Sequence, residues 1–111
     1  DVALIGADRI ARNGDSANKI GSLGVALACK EAGIPFLVVA PESTVDRTIA
    51  DGSSIVIEER PDEEITFFSG VRVAPDGART FNPAFDVTPA RFISAVVTDS
   101  HVYEIAQGAS L

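Results

Sequence analysis

The chain has 111 residues, 46% of them hydrophobic and 23% charged, with sixteen acidic against nine basic side chains and a net charge of −7. That length fits one domain. The apolar share and the single Cys exclude a disordered chain and a disulfide scaffold, and the acidic balance excludes general binding to a phosphate backbone, which needs a basic face.

No apolar run reaches the ~20 residues of a membrane span, and no basic stretch leads into an apolar one as in a signal peptide. A soluble, cytoplasmic protein is expected, with no nucleic-acid and no membrane partner. The sequence starts at Asp1, contains no Met, and enters at once the apolar run Val2, Ala3, Leu4, Ile5. Residues 1–111 therefore read as a single partial domain that begins inside or just before a strand, its N-terminal region absent.

Val2 to Ala7 is apolar without alternation and predicts a central parallel strand buried on both faces. Arg12, Asn13, Gly14 and Asp15 form a polar turn. A helix is expected from Ser16 to Ala32, capped by Asp15 or Ser16, with Ile20, Leu23, Gly24 and Leu27 on its apolar face and Gly33 as its stop. Phe36 to Ala40 is a second buried strand. Strand, helix and strand in some forty residues make a βαβ unit, so the expected fold class is α/β, a Rossmann-like parallel sheet with flanking helices, incomplete.

Beyond Pro41 the pattern weakens. Ser43–Ala50 suggests a short helix, Ile55–Ile57 a strand, Asp62–Phe67 one helical turn at most, and Val71–Val73 an extended piece before the Pro75, Asp76, Gly77 turn. Residues 81–87 look irregular. Thr88 and Pro89 have the form of a cap followed by a first-turn proline, which starts a helix carrying Phe92, Ile93, Val96 and Val97 on one face. The tail Gln107–Leu111 reads as frayed.

The chemically informative stretch runs from Gly6 to Gly21, a strand end, a loop and the expected helix start. In parallel α/β sheets, ligands bind outside the carboxyl ends of the strands, and a helix N-terminus offers free N–H groups to phosphate. Asp8 follows an apolar run, where partial desolvation would suit a carboxyl for acid–base work; the plainer reading is a loop residue. Lys19 adds a charge and Asn18 an amide. Asp15 reads as a cap. Neither the dinucleotide glycine pattern nor the P-loop is present, and one Cys with one His makes no zinc site. Cys29 reads as a packing residue within the helix, and His101 as a surface residue.

The run Gly6-Ala7-Asp8-Arg9-Ile10-Ala11-Arg12-Asn13-Gly14-Asp15-Ser16-Ala17-Asn18-Lys19-Ile20-Gly21 closely resembles the signature of the methylthioribose-1-phosphate isomerase family. That family is grouped with the alpha, beta and delta subunits of the exchange factor for eukaryotic initiation factor two. The resemblance continues through Gly33–Phe36, Ala40–Thr44, Ile57–Arg60 and Asn82–Pro89, and spans about Val2 to Asp99. The Asp-Arg-Ile and Asn-Pro-Ala-Phe-Asp-Val-Thr-Pro forms favour the isomerase branch. The resemblance makes residues 1–111 the C-terminal portion of such an enzyme.

It implies an aldose–ketose isomerase converting 5-methylthioribose 1-phosphate to 5-methylthioribulose 1-phosphate in methionine salvage. Asp8 would be the catalytic acid, and Asn18 and Lys19 the substrate-binding pair. The family's second catalytic group is a Cys in an earlier part of the chain, beside a Gly-Ala phosphate-binding segment and an Arg; none of these lies within residues 1–111, and Cys29 matches no catalytic position. No metal or cofactor is implied. The expected partners are the sugar-phosphate substrate, the missing N-terminal part of the same protein and a second copy in a homodimer. The alternatives are an isomerase of ribose 1,5-bisphosphate or 5-deoxyribose 1-phosphate, and a non-catalytic regulatory subunit like those of initiation factor 2B.

Overall fold

The computed structural model describes residues 1–111. The elements in chain order are β1 (Ala3–Ile5), β2 (Arg9–Ala11), β3 (Ser16–Lys19), α1 (Ser22–Ala32), β4 (Phe36–Val39), β5 (Val45–Asp46), α2 (Glu63–Thr66), β6 (Phe67–Phe68), β7 (Val71–Arg72), β8 (Phe85–Thr88), β9 (Ala95–Val97) and β10 (Val102–Tyr103). Single 3-10 turns lie at Glu42–Thr44, Gly52–Ser54, Ala90–Phe92 and Ile105–Gln107. The fold is mixed α/β.

One sheet has the order β1-β4-β9-β10. β1 runs parallel to β4, with Leu4 opposite Leu37, and β4 runs parallel to β9, with Val38 opposite Val96. β10 turns back antiparallel on β9. The expected adjacency of the first two strands holds. β1, however, is an edge strand rather than a central one, and it is covered on one face only. Ala3 and Ile5 pack toward the core, whereas Val2 and Leu4 are 53% and 61% exposed. The same uncovered face carries Val39, 44% exposed.

The covered face holds the main core: Phe36, Val38 and Val96 from the sheet, Ile10 from β2, Ala26 and Cys29 from α1, and Ile93 and Ile105. Burying side chains of this size stabilises by about 1.5–3 kcal/mol each. α1 turns its small residues inward, with Ser22, Ala26 and Cys29 buried. The expected stripe is therefore misassigned, since Ile20 and Leu27 are 51% and 47% exposed. Small side chains let the helix lie close to the sheet. Gly33 ends α1 as expected, in the left-handed region at φ 66°, its N–H reaching the carbonyls of Cys29 and Lys30.

The second sheet has the order β5-β2-β3-β8, and the sequence reading is corrected here and in the segments beside it. Ser16–Lys19 is a strand, antiparallel to both β2 and β8, so the helix starts at Ser22 and not at Ser16. Residues 85–88 form β8 and are not irregular. The helix expected after Pro89 is one 3-10 turn followed by β9. The short helix expected over Ser43–Ala50 is likewise a 3-10 turn and the two residues of β5. Ile55–Ile57 pairs with nothing as a strand, although Ile55 is buried with Ala11 and Ala17.

Two smaller features complete the chain. β6 and β7 form a hairpin across Ser69 and Gly70, both at positive φ, the backbone a tight two-residue turn requires. The tail is tied down rather than frayed: the Leu111 N–H donates to the Arg12 carbonyl at 2.8 Å, and its side chain packs on the core.

Candidate active site

Asp8 stands just beyond β1, where the chain leaves the parallel sheet and enters the second one. Its N–H donates to the Ala17 carbonyl at 2.8 Å, which fixes the residue beside β3. Ala17 is followed in that strand by Asn18 and Lys19. Asp8 is therefore beside the strand that bears Asn18 and Lys19, whose side chains leave it on opposite faces. Asn18 and Lys19 belong to an antiparallel strand, not to the first turn of a helix.

Asp8 itself is exposed, so the expected partial desolvation is not met within these residues. Two hollows flank it. The first, of about 360 Å³, is polar and lined by Arg9, Ser43, Thr44, Asp46, Arg47 and Thr48. Arg9 closes one wall by an ion pair to Asp46 at 2.9 Å. Asp46 also accepts from the Thr48 N–H at 3.0 Å, and the Thr48 hydroxyl and N–H hold its carboxyl below the usual range. The second hollow, of about 180 Å³, has the apolar residues Ala17, Ile55, Val56, Ile57 and Phe85 around Asp8 and Arg9. A third, of about 280 Å³, lies by Cys29, Gly33 and Pro35, at the far end of α1 and away from Asp8.

Asn18 is half-buried. Its Nδ2 donates to the Ser22 Oγ at 3.2 Å, and Ser22 in turn donates to the Lys19 carbonyl at 2.7 Å. The Lys19 ammonium sits 5.2 Å from the centre of the Phe85 ring, within range of a cation–π contact.

The start of α1 differs from the sequence reading in a way that bears on chemistry. Gly21, the N-cap, has φ 106° and no side chain to cap with, and the first turn holds no acidic residue. The cap comes instead from Asp86 on β8, which accepts from the Gly21 N–H at 2.8 Å and from the Leu23 N–H at 3.2 Å. The N–H groups at the actual start of α1 are thus engaged by a carboxylate of the chain itself rather than open to a phosphate. Asp15 caps no α-helix; it accepts from Gly52 at 2.8 Å and from Ala90 at 2.7 Å, tying two loops together. Cys29 is buried in the core. His101 is exposed, as expected.

Sequence reasoning did not reach Asp86, Phe85 and Ser22 as parts of this neighbourhood. The local pattern hid them, because it starts the helix at Ser16 with Asp15 or Ser16 as a cap; only a start at Gly21, with neither a capping side chain nor a first-turn acid, calls for an acceptor from elsewhere in the chain.

The chain belongs to the Initiation factor 2 subunit family, whose model matches residues 1–104. Within it, the chain is 54% identical over 105 residues to the methylthioribose-1-phosphate isomerase of Trichlorobacter lovleyi, covering 95% of this chain and 30% of that protein. Among solved structures it is similar to the 5-methylthioribose 1-phosphate isomerase of Pyrococcus horikoshii, at 47% identity and TM-score 0.87, over 94% of this chain and 29% of the other. It is also similar to the delta subunit of the translation initiation factor eIF-2B from A. fulgidus, at 40% identity and TM-score 0.84, over 94% of this chain and 30% of the other. The chain thus spans about 30% of the length of the curated relatives it matches.

Proposed function

We propose that these residues form the acid-bearing, C-terminal part of a longer aldose–ketose isomerase that converts 5-methylthioribose 1-phosphate to 5-methylthioribulose 1-phosphate, in methionine salvage. The observation that carries the reading is the backbone pairing of Asp8 with the strand that bears Asn18 and Lys19, at the junction of the two sheets, in a chain 54% identical to a relative named for that reaction. The reading includes a cytoplasmic homodimer in which the rest of the protein supplies the second catalytic group and part of the phosphate site.

The chemistry accounts for the residue types. An aldose–ketose change moves a hydrogen from C2 to C1. Because the C1 oxygen carries phosphate, the ring cannot open as a free hemiacetal does, and an acid has to protonate the ring oxygen as the C1–O bond breaks. Asp8 is assigned that proton. A carboxyl keeps a proton at neutral pH only in apolar surroundings; the hollow of Ala17, Ile55, Val56, Ile57 and Phe85 provides one apolar wall, and the rest of the protein would have to provide the other. Lys19 supplies positive charge for the sugar phosphate, and Asn18, whose Oδ1 has no protein hydrogen-bond partner, supplies an acceptor for a sugar hydroxyl.

The test is steady-state kinetics on the intact protein. Asp8→Asn keeps shape and hydrogen bonding but removes the transferable proton, so kcat should fall by about 10²–10⁴ with the fold retained by circular dichroism. Lys19→Ala should raise KM as well, since it takes charge from the substrate site. An Asp8→Asn enzyme within about threefold of the parent kcat would remove Asp8 from the mechanism. Similarity to the initiation-factor subunit favours a second reading, a sugar-phosphate or nucleotide sensor without turnover. Ligand binding with no ketose product from the methylthio substrate, ribose 1,5-bisphosphate or 5-deoxyribose 1-phosphate would decide for it.

A further inference from the structure

Asp86 lies on β8 directly opposite Asn18 on β3. Its carboxylate holds the first turn of α1 at Gly21 and Leu23. Between those two residues is Ser22, whose hydroxyl accepts from Asn18 Nδ2 and donates to the Lys19 carbonyl. The residue before Asp86 is Phe85, paired opposite Lys19 in the same ladder and seated under its ammonium. One dipeptide of β8 is therefore linked to both members of the Asn18–Lys19 pair, to Lys19 by a ring and to Asn18 through the helix start. We propose that Asp86 is a positioning residue for substrate: by capping α1 across 65 residues of sequence it sets Ser22, and through Ser22 the Asn18 amide and the backbone of Lys19. The proposal rests on the functional reading above.

An amide that must present one oxygen to a ligand has to be held by its other end, and Nδ2 is the end held here. Ser22 can hold it only while the first turn of α1 stays in place. Gly21 offers that turn no side chain and a backbone free to move, so the remote carboxylate is what fixes it. A shift of about 1 Å in a substrate-positioning group costs on the order of 10²-fold in rate.

The experiment uses the intact protein with Asp86→Ala, Asp86→Asn and Ser22→Ala, the last breaking the relay while leaving the cap. Asp86→Ala should lower kcat/KM for the sugar phosphate by about 10- to 100-fold, mostly through KM. Asp86→Asn, which keeps one acceptor oxygen, should recover part of the loss, and Ser22→Ala should reproduce part of it. A merely structural cap would lower Tm and leave KM unchanged. If Asp86→Ala does not fold, the other two variants carry the test. The Asn18 side-chain amide, followed by NMR with ¹⁵N-asparagine labelling, should shift in every variant. Folded variants with kcat/KM within about threefold of the parent would overturn the proposal. A parent that turns over no sugar phosphate would overturn the functional reading instead; the Asn18 amide then decides, and an unmoved signal sinks the positioning role.

Discussion

At Glu42 one carboxylate gathers the Arg47 guanidinium, the Ser100 hydroxyl at 3.0 Å and the Tyr103 hydroxyl at 3.0 Å. Arg47, and after it the surrounding hydroxyls, bring its pKa down to about 2, while burial and then the Glu42 contact push Tyr103 up, so that Tyr103 stays a donor. A carboxylate with a depressed folded pKa contributes stability above its unfolded value and loses it as pH falls toward the folded one. Between pH about 4.5 and about 2 the parent should therefore lose stability that Glu42→Gln never had. Acid titrations of both proteins, followed by circular dichroism, should converge toward pH 2; parallel curves would contradict this. Gly52 makes a second residue-scale prediction. A Cβ there would come within 2.6 Å of Val87 Cγ1 and 3.1 Å of Asp15 Cβ. Gly52→Ala should cost about 1–3 kcal/mol by overpacking, read as a lower urea midpoint, and an unchanged midpoint would show the loop yielding freely.

β8 is the element that reorganises the sequence reading. Taken locally, Thr88 and Pro89 have the form of a helix start, and Phe92, Ile93, Val96 and Val97 lie at helical spacing. Yet Thr88 is fully buried at the end of a strand opposite Ser16, and Ala95–Val97 is taken up as the third parallel strand. The partners that decide this lie some sixty to seventy residues upstream, so no window along the chain could register them. β3 was misread for the same reason. Ser16, Ala17, Asn18 and Lys19 include no β-branched or aromatic residue, and β2 and β8 on either side impose the strand. β1, β4 and the Gly33 stop were legible because an unbroken apolar run and a left-handed glycine carry their own signal. Asp8, Asn18 and Lys19 were singled out by type and by resemblance; their mutual placement depends on the antiparallel ladder. The Thr88 Oγ1 has no hydrogen-bond partner in its buried setting. An unsatisfied buried hydroxyl costs about 1–3 kcal/mol, so Thr88→Val should raise the denaturation midpoint. A drop would mean that the hydroxyl has a partner in the intact protein.

Across the whole molecule the radius of gyration is 16.2 Å, against about 13 Å for a self-contained domain of this length. The excess matches what the surface shows. Val2, Leu4 and Val39 lie open on one sheet face, and Phe68, Val71, Val73 and Phe81 are open around the β6–β7 hairpin. Parallel sheets are ordinarily covered on both faces, and apolar patches of this kind mark contact surfaces. Residues 1–111 expressed alone should therefore self-associate and bind a hydrophobic dye, while the intact protein should protect Leu4 and Val39 from hydrogen exchange. On the proposed function, which draws its second catalytic group from the rest of the protein, the isolated segment should also show no turnover. A monodisperse, dye-negative monomer of these 111 residues would refute the first expectation, and measurable isomerase activity the second. No helix is long and apolar enough to cross a membrane.

The pairing of β3 with β8 also sets an order of events during synthesis. Chains emerge from the ribosome N-terminus first and fold as their contacts become available. When Asp8, Asn18 and Lys19 have been made, the strand that flanks them and the carboxylate that caps α1 are still untranslated, 65 residues away in the case of Gly21 and Asp86. The nascent site is thus held open until Phe85 to Thr88 arrive. A ribosome stalled before that point carries a β3 with one bare edge, a natural docking point for a chaperone.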